Sequence, residues 1–376
     1  GDTIVGKQSK VLSMKRGIRA TIMRGGTSKG VFMQRSLLPD FGPELDALLL
    51  DIMGSPDAMQ IDGLGGTHSS TSKVVLVEAV NESTVRYWFA QIGVAEAIVD
   101  WDGNCGNLTT AVGPYAIDEG LVTAVEPLTI LTLINENTGV SIIAEVQLSD
   151  GESAVMGELH IAGVPNPGSP VMTRYLDPSG SVINGEVFPS GNRIDLLESD
   201  FGVVPVTIAD ITHPYVFISA ASLGLNLETL TQVEANADPE LLQKIESIRG
   251  AAAVLIGQAT DLDDAKVNVP SVPRIVVVAT DAEATLRTFS FAMLVAHHAI
   301  PMTAALCLAG TSHYEGTVLS EHLRGLGERV TLRHPKGIAE VAVQMNSDGS
   351  VRSLGVLRTA RKLMVGEVFP RALYRK

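Results

Sequence analysis

Residues 105–121 read CGNLTTAVGPYAIDEGL, a run rich in small and apolar residues that carries no charge before Asp118. The run opens on a thiol and a Gly-Asn pair, and its composition predicts a helix. A helix with so little polar surface is usually enclosed on most of its sides. This stretch therefore predicts a domain that is built around one buried, central helix.

Short strand-like runs surround this helix in the first half of the chain. They are rich in β-branched and aromatic residues, which favour strands. The predicted strands are 20–23, 31–33, 73–80, 84–91, 97–101, 128–135, 140–147 and 154–161. Residues 43–53 have leucines on one side of a helical repeat and predict one amphipathic helix. The first half is therefore predicted to be a sheet with few helices.

The second half repeats this plan. Residues 165–192 are dense in Pro, Gly, Ser and Asn and predict a domain boundary. Strands are predicted at 203–208, 215–219, 274–279, 329–333, 339–344 and 351–359, and helices at 240–253 and, again apolar, at 302–309. We predict an α+β fold of two similar domains, 1–185 and 186–359, with segment 360–376 completing the first.

Charge and cysteine content exclude several classes of protein. The formal net charge is −14, whereas a nucleic-acid-binding protein needs a basic face. A locally positive site for an anionic substrate is still compatible with that charge. The two cysteines form no CxxC pair and no zinc-type cluster, so we expect free thiols, no metal site and a cytoplasmic protein. Residues 1–19 lack an apolar signal segment, so we expect no secretory signal. The apolar stretch 291–310 is interrupted by histidines and a proline, so we expect a buried segment and no membrane span.

Segment 23–30, MRGGTSKG, packs two cations, two hydroxyls and three glycines into eight residues. Glycines let backbone N–H groups approach a ligand, and a guanidinium can grip a carboxylate. The candidate substrate-binding residues here are Arg24, Thr27, Ser28 and Lys29, with an ordinary glycine turn as the alternative. A hydrolase elbow is disfavoured because a strand-like VFM follows the GxSxG pattern, and the residue order excludes a Walker A loop.

Segment 62–73, DGLGGTHSSTSK, ends on Lys73, which enters the apolar run VVLV. It lacks the third glycine of a dinucleotide-binding loop. Burial favours the neutral form of a lysine, which is a usable base. The alternative is a lysine at a strand end that extends into water. Ser70 and Ser72 are candidate hydrogen-bonding residues for the substrate.

Segment 102–107, DGNCGN, puts Cys105 at the beginning of the predicted central helix. The helix dipole and the free N–H groups of Gly106 and Asn107 favour a thiolate or a bound carboxylate there. The alternative is a small thiol at a turn. Since each of these segments has an ordinary explanation, none identifies a function alone.

Together the segments resemble the PrpF family, within the superfamily of diaminopimelate-epimerase-like folds. The similar pieces are MRGGTSKG at 23–30, the SSTSK stretch that ends at Lys73, DGNCGN at 102–107, GPYAI at 113–117, HPYVFISA at 213–220 and RTARKLM at 358–364. The resemblance implies two similar domains, each a β-barrel-like sheet around a central apolar helix, with the active site in the cleft between them. It also implies an isomerase that needs no metal or organic cofactor.

The resemblance implies an allylic proton shift in a small di- or tricarboxylate, and 2-methylaconitate is the substrate that we expect. Lys73 matches the family's catalytic lysine, and Cys105 is its expected catalytic partner. Epimerases of the superfamily use two cysteines, one before each central helix. Here the second helix begins near Thr303, a candidate substrate-binding residue, and Cys307 lies one turn further on. Arg274 and Lys336 are additional candidate cations from the second half.

Several alternatives stay open at this stage. The same family implies aconitate isomerases and 4-oxalomesaconate tautomerases, and the same fold includes racemases and epimerases. A different class is a protein that binds polycarboxylates without turning them over. We expect a small polycarboxylate as the partner and neither nucleic acid nor membrane, and we leave a homodimer open.

Overall fold

The computed structural model describes residues 16–101, 105–292 and 294–375. These residues divide into two compact units. Unit 1 contains the residues up to Val171 and those from Arg358 on, and unit 2 contains Met172–Leu357. The expected boundary at 185/186 lies inside unit 2, which begins at Met172.

Unit 1 consists of a sheet and two α-helices. Its strands are β1 (Ile18–Gly25), β2 (Ser28–Gln34), β3 (Lys73–Asn81), β4 (Thr84–Ile92), β5 (Val99–Asp100), β6 (Leu128–Asn135), β7 (Ser141–Ser149), β8 (Glu152–Ser153) and β19 (Ala360–Val368). The helices are α1 (Pro43–Met53) and α2 (Gly106–Asp118), and short 3-10 turns cover Arg35–Leu37, Ser69–Thr71 and Arg371–Tyr374. Both predicted helices of this half are confirmed, with Cys105 as the residue that precedes α2.

Unit 2 is also a sheet with helices. Its strands are β9 (Val171–Leu176), β10 (Asp195–Ser199), β11 (Gly202–Ile211), β12 (His213–Ser219), β13 (Arg274–Ala279), β14 (Leu286–Ala292), β15 (Val295–Ala296), β16 (Arg329–His334), β17 (Gly337–Met345) and β18 (Val351–Arg358). The helices are α3 (Gln232–Asn236), α4 (Pro239–Leu255), α5 (Leu262–Asn268) and α6 (Met302–Ser312), and a 3-10 turn covers Ala220–Leu223.

The two units share one strand topology. In unit 1 the pairs β1–β2, β3–β4 and β6–β7 are antiparallel, whereas β2–β3 and β4–β6 are parallel. In unit 2 the pairs β11–β12, β13–β14 and β16–β17 are antiparallel, whereas β12–β13 and β14–β16 are parallel. A short strand pairs with β4 or β14 and leads into α2 or α6. The predicted α+β fold of two similar domains is confirmed.

The sheet of unit 1 has two differently covered faces. The inner face packs on α2, where the Phe32 ring lies 5.4 Å from the Tyr115 ring. The outer face packs on α1, and its core includes Val31, Met33 and Leu49. Since side chains alternate between faces along a strand, even-numbered residues of β2 point inward and odd-numbered residues point outward.

One predicted strand is wrong. Residues 154–161 form only an isolated bridge, between Leu159 and Gly168, and Met156 is 87% exposed. At Gly157 an added Cβ would lie 2.6 Å from the Gly168 carbonyl oxygen. A side chain at position 157 would therefore not fit against the backbone of Gly168. Among the residues that the structure describes, no helix is long and apolar enough to cross a membrane.

We predict that Gly25→Ala destabilises unit 1. An added Cβ would lie 2.5 Å from the carbonyl oxygen of Asn107, on the buried helix α2. Because backbone cannot yield as a flexible side chain can, we expect a loss of about 1–3 kcal/mol in the free energy of unfolding. Denaturant titration of wild type and variant measures this loss.

Gly366→Ala on β19 is the matched control, since the nearest atom to its Cβ would be Met364 Cε at 3.7 Å. Equal unfolding midpoints for the two variants would contradict the close contact between β1 and α2.

Candidate active site

Cys105 precedes the first turn of α2. Its backbone is extended (φ −120°, ψ 98°), and its side chain makes no capping hydrogen bond. The half-buried thiol instead donates to Ser28 Oγ across 3.7 Å. The first N–H groups of a helix have no partner within it and form the positive end of its dipole, which suits an anion. Residues 102–104 of the DGNCGN motif lie outside the described residues.

The loop between β1 and β2 lies directly on this first turn. Asn107 Nδ2 donates to Thr27 Oγ1 at 3.2 Å. At Gly26, where φ is +51°, an added Cβ would lie 2.2 Å from Asn107 Oδ1. Only a glycine permits this approach, and it brings Thr27, Ser28 and Asn107 together around Cys105.

Lys73 shares the inner face with Ser28. Strands β2 and β3 are parallel, and Gly30 is the register partner of Lys73. Ser28 and Gly30 point inward by alternation, and a Cβ at Gly30 would lie 2.8 Å from the side chain of Leu108 on α2. Lys73 therefore projects to the side of the sheet that carries the start of α2 and Cys105.

Two inner-face residues of β4 contact the Lys73 amine. Nζ donates to Gln91 Oε1 at 2.7 Å and lies 5.0 Å from the centre of the Phe89 ring. Gln91 is the register partner of Lys73 in the antiparallel β3–β4 pair. Sequence reasoning missed Gln91, although counting pairs back from the hairpin turn near Asn81 and Thr84 leads to within one residue of it.

The two predicted serines before Lys73 have other partners. Ser72 is buried and donates to Gln60 Oε1 at 2.9 Å. Ser70 Oγ is hydrogen bonded to the ring of His68 at 3.0 Å. Ser72 therefore secures the loop that leads into β3, whereas Ser70 remains only half-buried at its surface.

The structure does not bring Arg24 and Lys29 to the inner face. They are register partners in the β1–β2 hairpin and alternate with the inward residues Ser28 and Gly30. Arg24 donates to the carbonyl oxygens of Gly26 and Thr359, at 3.0 and 3.1 Å. Burial lowers the pKa of Arg24, and the nearby charge of Arg361 lowers it further.

In unit 2, Arg274 begins β13 as Lys73 begins β3. Its register partner is Tyr215, whose hydroxyl shares a 2.7 Å hydrogen bond with Thr303 Oγ1. Burial raises the pKa of Tyr215. The hydroxyl of Thr303, the predicted substrate-binding residue, is thus held by a buried, neutral tyrosine.

Two half-buried histidines, His213 and His297, lie within electrostatic reach of Arg274. Burial lowers the pKa of His213 to about 4, and the charge of Arg274 contributes. Burial also lowers the pKa of His297 to about 4, together with the neighbouring His298. Both imidazoles are therefore neutral at pH 7, and the positive charge near them comes from Arg274 and, beside His297, also from Lys336.

Cys307 is a buried thiol within α6. It donates to the carbonyl oxygen of Ala209 at 3.5 Å, and burial raises its pKa to about 12. A thiol in this environment does not exchange protons near neutral pH. In the described ranges, no three side chains of His, Cys, Asp or Glu converge as metal ligands would. Cofactor independence stays a prediction.

Comparison with known proteins gives one consistent result. The family model described as PrpF protein matches residues 14–371. A 3-methylitaconate isomerase from Eubacterium barkeri is 36% identical over 95% of this chain and 98% of that protein. A 2-methyl-aconitate isomerase from Shewanella oneidensis is 36% identical over 93% of this chain and 96% of that protein.

A solved structure agrees with these relatives. The crystal structure of a methylitaconate-delta-isomerase superposes with a TM-score of 0.87 and 35% identity, and it covers 96% of this chain and 97% of its own. Sequence and fold are therefore similar over nearly the whole length.

We predict that iodoacetamide alkylates Cys105 and spares Cys307 in the folded protein at pH 8. A buried thiol with a pKa of about 12 is inaccessible and has almost no thiolate. Mass spectrometry of peptides sampled over time measures both rates. Cys105→Ser is the control, and alkylation of Cys307 at the rate of Cys105 would contradict the burial.

Proposed function

Because the chain belongs to the PrpF family, we propose that it is an isomerase that moves a proton and a C=C bond within a small di- or tricarboxylate. The relatives named methylitaconate and methyl-aconitate isomerase support this class. One observation carries the proposal: Lys73 points to the inner face of β3, where the Cys105 thiol meets Ser28 at the start of α2.

Lys73 is the proposed base. The substrate carries a CH group next to a C=C bond that is conjugated to a carboxylate. The neutral amine takes the allylic proton and becomes an ammonium, and the C–H electron pair enters a dienolate. General base help of this kind contributes about 10²–10⁴-fold to the rate.

The dienolate needs hydrogen-bond donors at its carboxylate oxygens. The candidate donors are the backbone N–H groups of Gly106 and Asn107 and the hydroxyl of Ser28. They are held in position before the reaction begins, and preorganised donors usually make the largest contribution to such catalysis. The positive end of the α2 dipole acts in the same direction.

The proton then returns to the far carbon, which completes the shift of the double bond. Either the Cys105 thiol or the Lys73 ammonium supplies it. If Lys73 serves both carbons, the shift is suprafacial and Cys105 only stabilises charge. If Cys105 is the donor, its thiolate recovers a proton from Lys73 or from solvent.

Other groups would hold the remaining carboxylates. The positions of Thr27 and Asn107 beside Cys105 support such a role. Arg24, Lys29 and Ser72 lack this support, because two lie on the outer face and the third is bound to Gln60. Ser70 and Thr303 stay in the proposal as hydrogen-bonding groups. Arg274, which begins the strand of unit 2 equivalent to β3, stays in the proposal as a candidate cation.

We propose 2-methylaconitate as the substrate, with 3-methylitaconate, aconitate and 4-oxalomesaconate as related candidates. One methyl group in a pocket contributes only about 1–3 kcal/mol of discrimination. The positions of the site residues therefore do not decide which of these acids is the substrate. The small polycarboxylate is the only partner that we propose, and the two free thiols support a cytoplasmic location.

A racemase of the same fold is less well supported. It would need a second acid or base at the start of α6, where Thr303 is bonded to Tyr215 and Cys307 is buried. A protein that only binds polycarboxylates would not need both Lys73 and Cys105.

The test is proton NMR in D2O with EDTA, using 2-methylaconitate, 3-methylitaconate, cis-aconitate, trans-aconitate and 4-oxalomesaconate. We expect isomerisation with deuterium entering the allylic position. Lys73→Met should lower the rate by about 10²-fold or more. Cys105→Ser should lower it as well, by less if the thiol only stabilises charge.

Lys29→Met is the matched control, since it removes an exposed lysine from the outer face. It should retain activity. Absence of exchange with every acid would overturn the isomerase proposal in favour of a binding protein, and full activity in Lys73→Met would overturn the role of the lysine.

A further inference from the structure

We infer that Gln91 is a positioning residue for Lys73, which fixes the direction in which the amine presents its lone pair. This inference rests on the proposed function of Lys73 as the base. Gln91 accepts a hydrogen bond from Lys73 Nζ at 2.7 Å, shorter than either bond that its own amide nitrogen donates. It lies on the neighbouring strand at the same level of the sheet.

The orientation of the Gln91 amide is fixed by its other partners. Nε2 donates to the carbonyl oxygens of Ser69 and Ser72, at 2.9 and 3.1 Å. Carbonyl oxygens only accept, so a flipped amide would set its oxygen against two others. Oε1 must therefore face Lys73.

The position of Ser72 is fixed by further hydrogen bonds. Ser72 O also accepts from the backbone N–H of Ile92 at 3.0 Å, and Ser72 Oγ donates to Gln60 Oε1 at 2.9 Å. Gln60 Oε1 accepts from Thr67 N as well, at 2.7 Å. The turn that orients Gln91 is thus fastened to β4 and to the loop before β3.

An acceptor in this position has a specific effect on an amine. Oε1 offers no proton, so Lys73 must point one N–H at it in either protonation state. The lone pair of the neutral amine then points away from Gln91. The ring of Phe89 lies 5.0 Å from Nζ and offers no conventional acceptor, so it does not compete for the N–H.

The neutrality of the amide also matters. A carboxylate at the same distance would favour the ammonium and so weaken the base. An amide provides the same acceptor without the charge. Gln91 therefore orients the lysine while leaving it able to lose its proton.

The titratable groups on the elements around Lys73 and Gln91 are these. Asp100 on β5 is the register partner of Gln91, one strand further from Lys73. Tyr87 lies four register pairs from Lys73 along the sheet, and Tyr115 and Asp118 lie in the second half of α2. Cys105 begins α2, and His68 precedes the 3-10 turn Ser69–Thr71. On β2, Lys29 points to the outer face. The charged residues at the far end of the strands, more than two register pairs from Lys73, are Arg35, Glu78 and Arg86. A carboxylate at position 91 would thus be the nearest negative side chain among these.

The experiment compares pH profiles of kcat/KM for wild type, Gln91→Glu and Gln91→Met. Gln91→Glu should move the acid limb to higher pH by about one unit or more, since an adjacent opposite charge shifts a titration by roughly 1–3 units. At pH values on the acid limb this corresponds to an about tenfold loss or more, and the activity should return as the pH rises.

Gln91→Met removes the acceptor and should lower kcat by up to about 100-fold with KM retained. It keeps the inference testable if Gln91→Glu does not fold. Gln147→Glu on β7 is the matched control, because it adds the same charge at an exposed position of unit 1 and should leave the profile in place.

If Gln91 only stabilised the turn before β3, its replacement would change the free energy of unfolding without moving the acid limb of the pH profile. An unmoved limb in Gln91→Glu, or an unchanged kcat in Gln91→Met, would overturn the inference. If wild type isomerises none of the acids, the proposed function fails, and amine labelling of Lys73 across pH, read by mass spectrometry, tests Gln91 separately. A labelling midpoint equal in wild type and Gln91→Glu would overturn the inference in that case.

Discussion

The candidate site of unit 1 depends on the close packing of the β1–β2 loop on the first turn of α2. The helix is buried along nearly its whole length, so water reaches little of it. The β1–β2 loop packs on this turn through Thr27, which accepts from Asn107 Nδ2, and through glycines that let its backbone approach the Asn107 side chain and backbone. Ser28 and Cys105 come into contact as a result. The feature that stabilises the fold is thus also the feature that assembles the candidate site.

Because side chains alternate along a strand, the residues of segment 23–30 point to two different faces of the sheet. Ser28 points to α2, whereas Arg24 and Lys29 point to the face covered by α1. Adjacent residues of one motif therefore serve different surfaces. Arg24 holds the turn through two carbonyl groups, and the inward residues remain for the chemistry. Residues that form one cluster in the sequence are therefore divided in space: some stabilise the turn, and others face the candidate site.

The sequence was sufficient to predict both central helices, most strands and the family, because apolar periodicity and local motifs specify them. It was not sufficient for contacts across strands that are distant in the chain. The pairing of Gly30 with Lys73 crosses α1 and a long loop, and no local pattern encodes that register. Gln91 was missed for the same reason. Residues 154–161 have strand-like composition, yet they form only an isolated bridge, between Leu159 and Gly168. The location of the active site between two domains stays a prediction.

The shared topology of the two units makes the difference between Lys73 and Arg274 informative. Each opens the equivalent strand of its own sheet. A lysine can cycle between two protonation states, whereas a guanidinium keeps its charge. The same strand topology thus places a group that can exchange a proton in unit 1 and a permanent positive charge in unit 2. The two halves therefore differ in chemistry even though their architecture is nearly the same, and exchanging the two residues would reverse which half can exchange a proton.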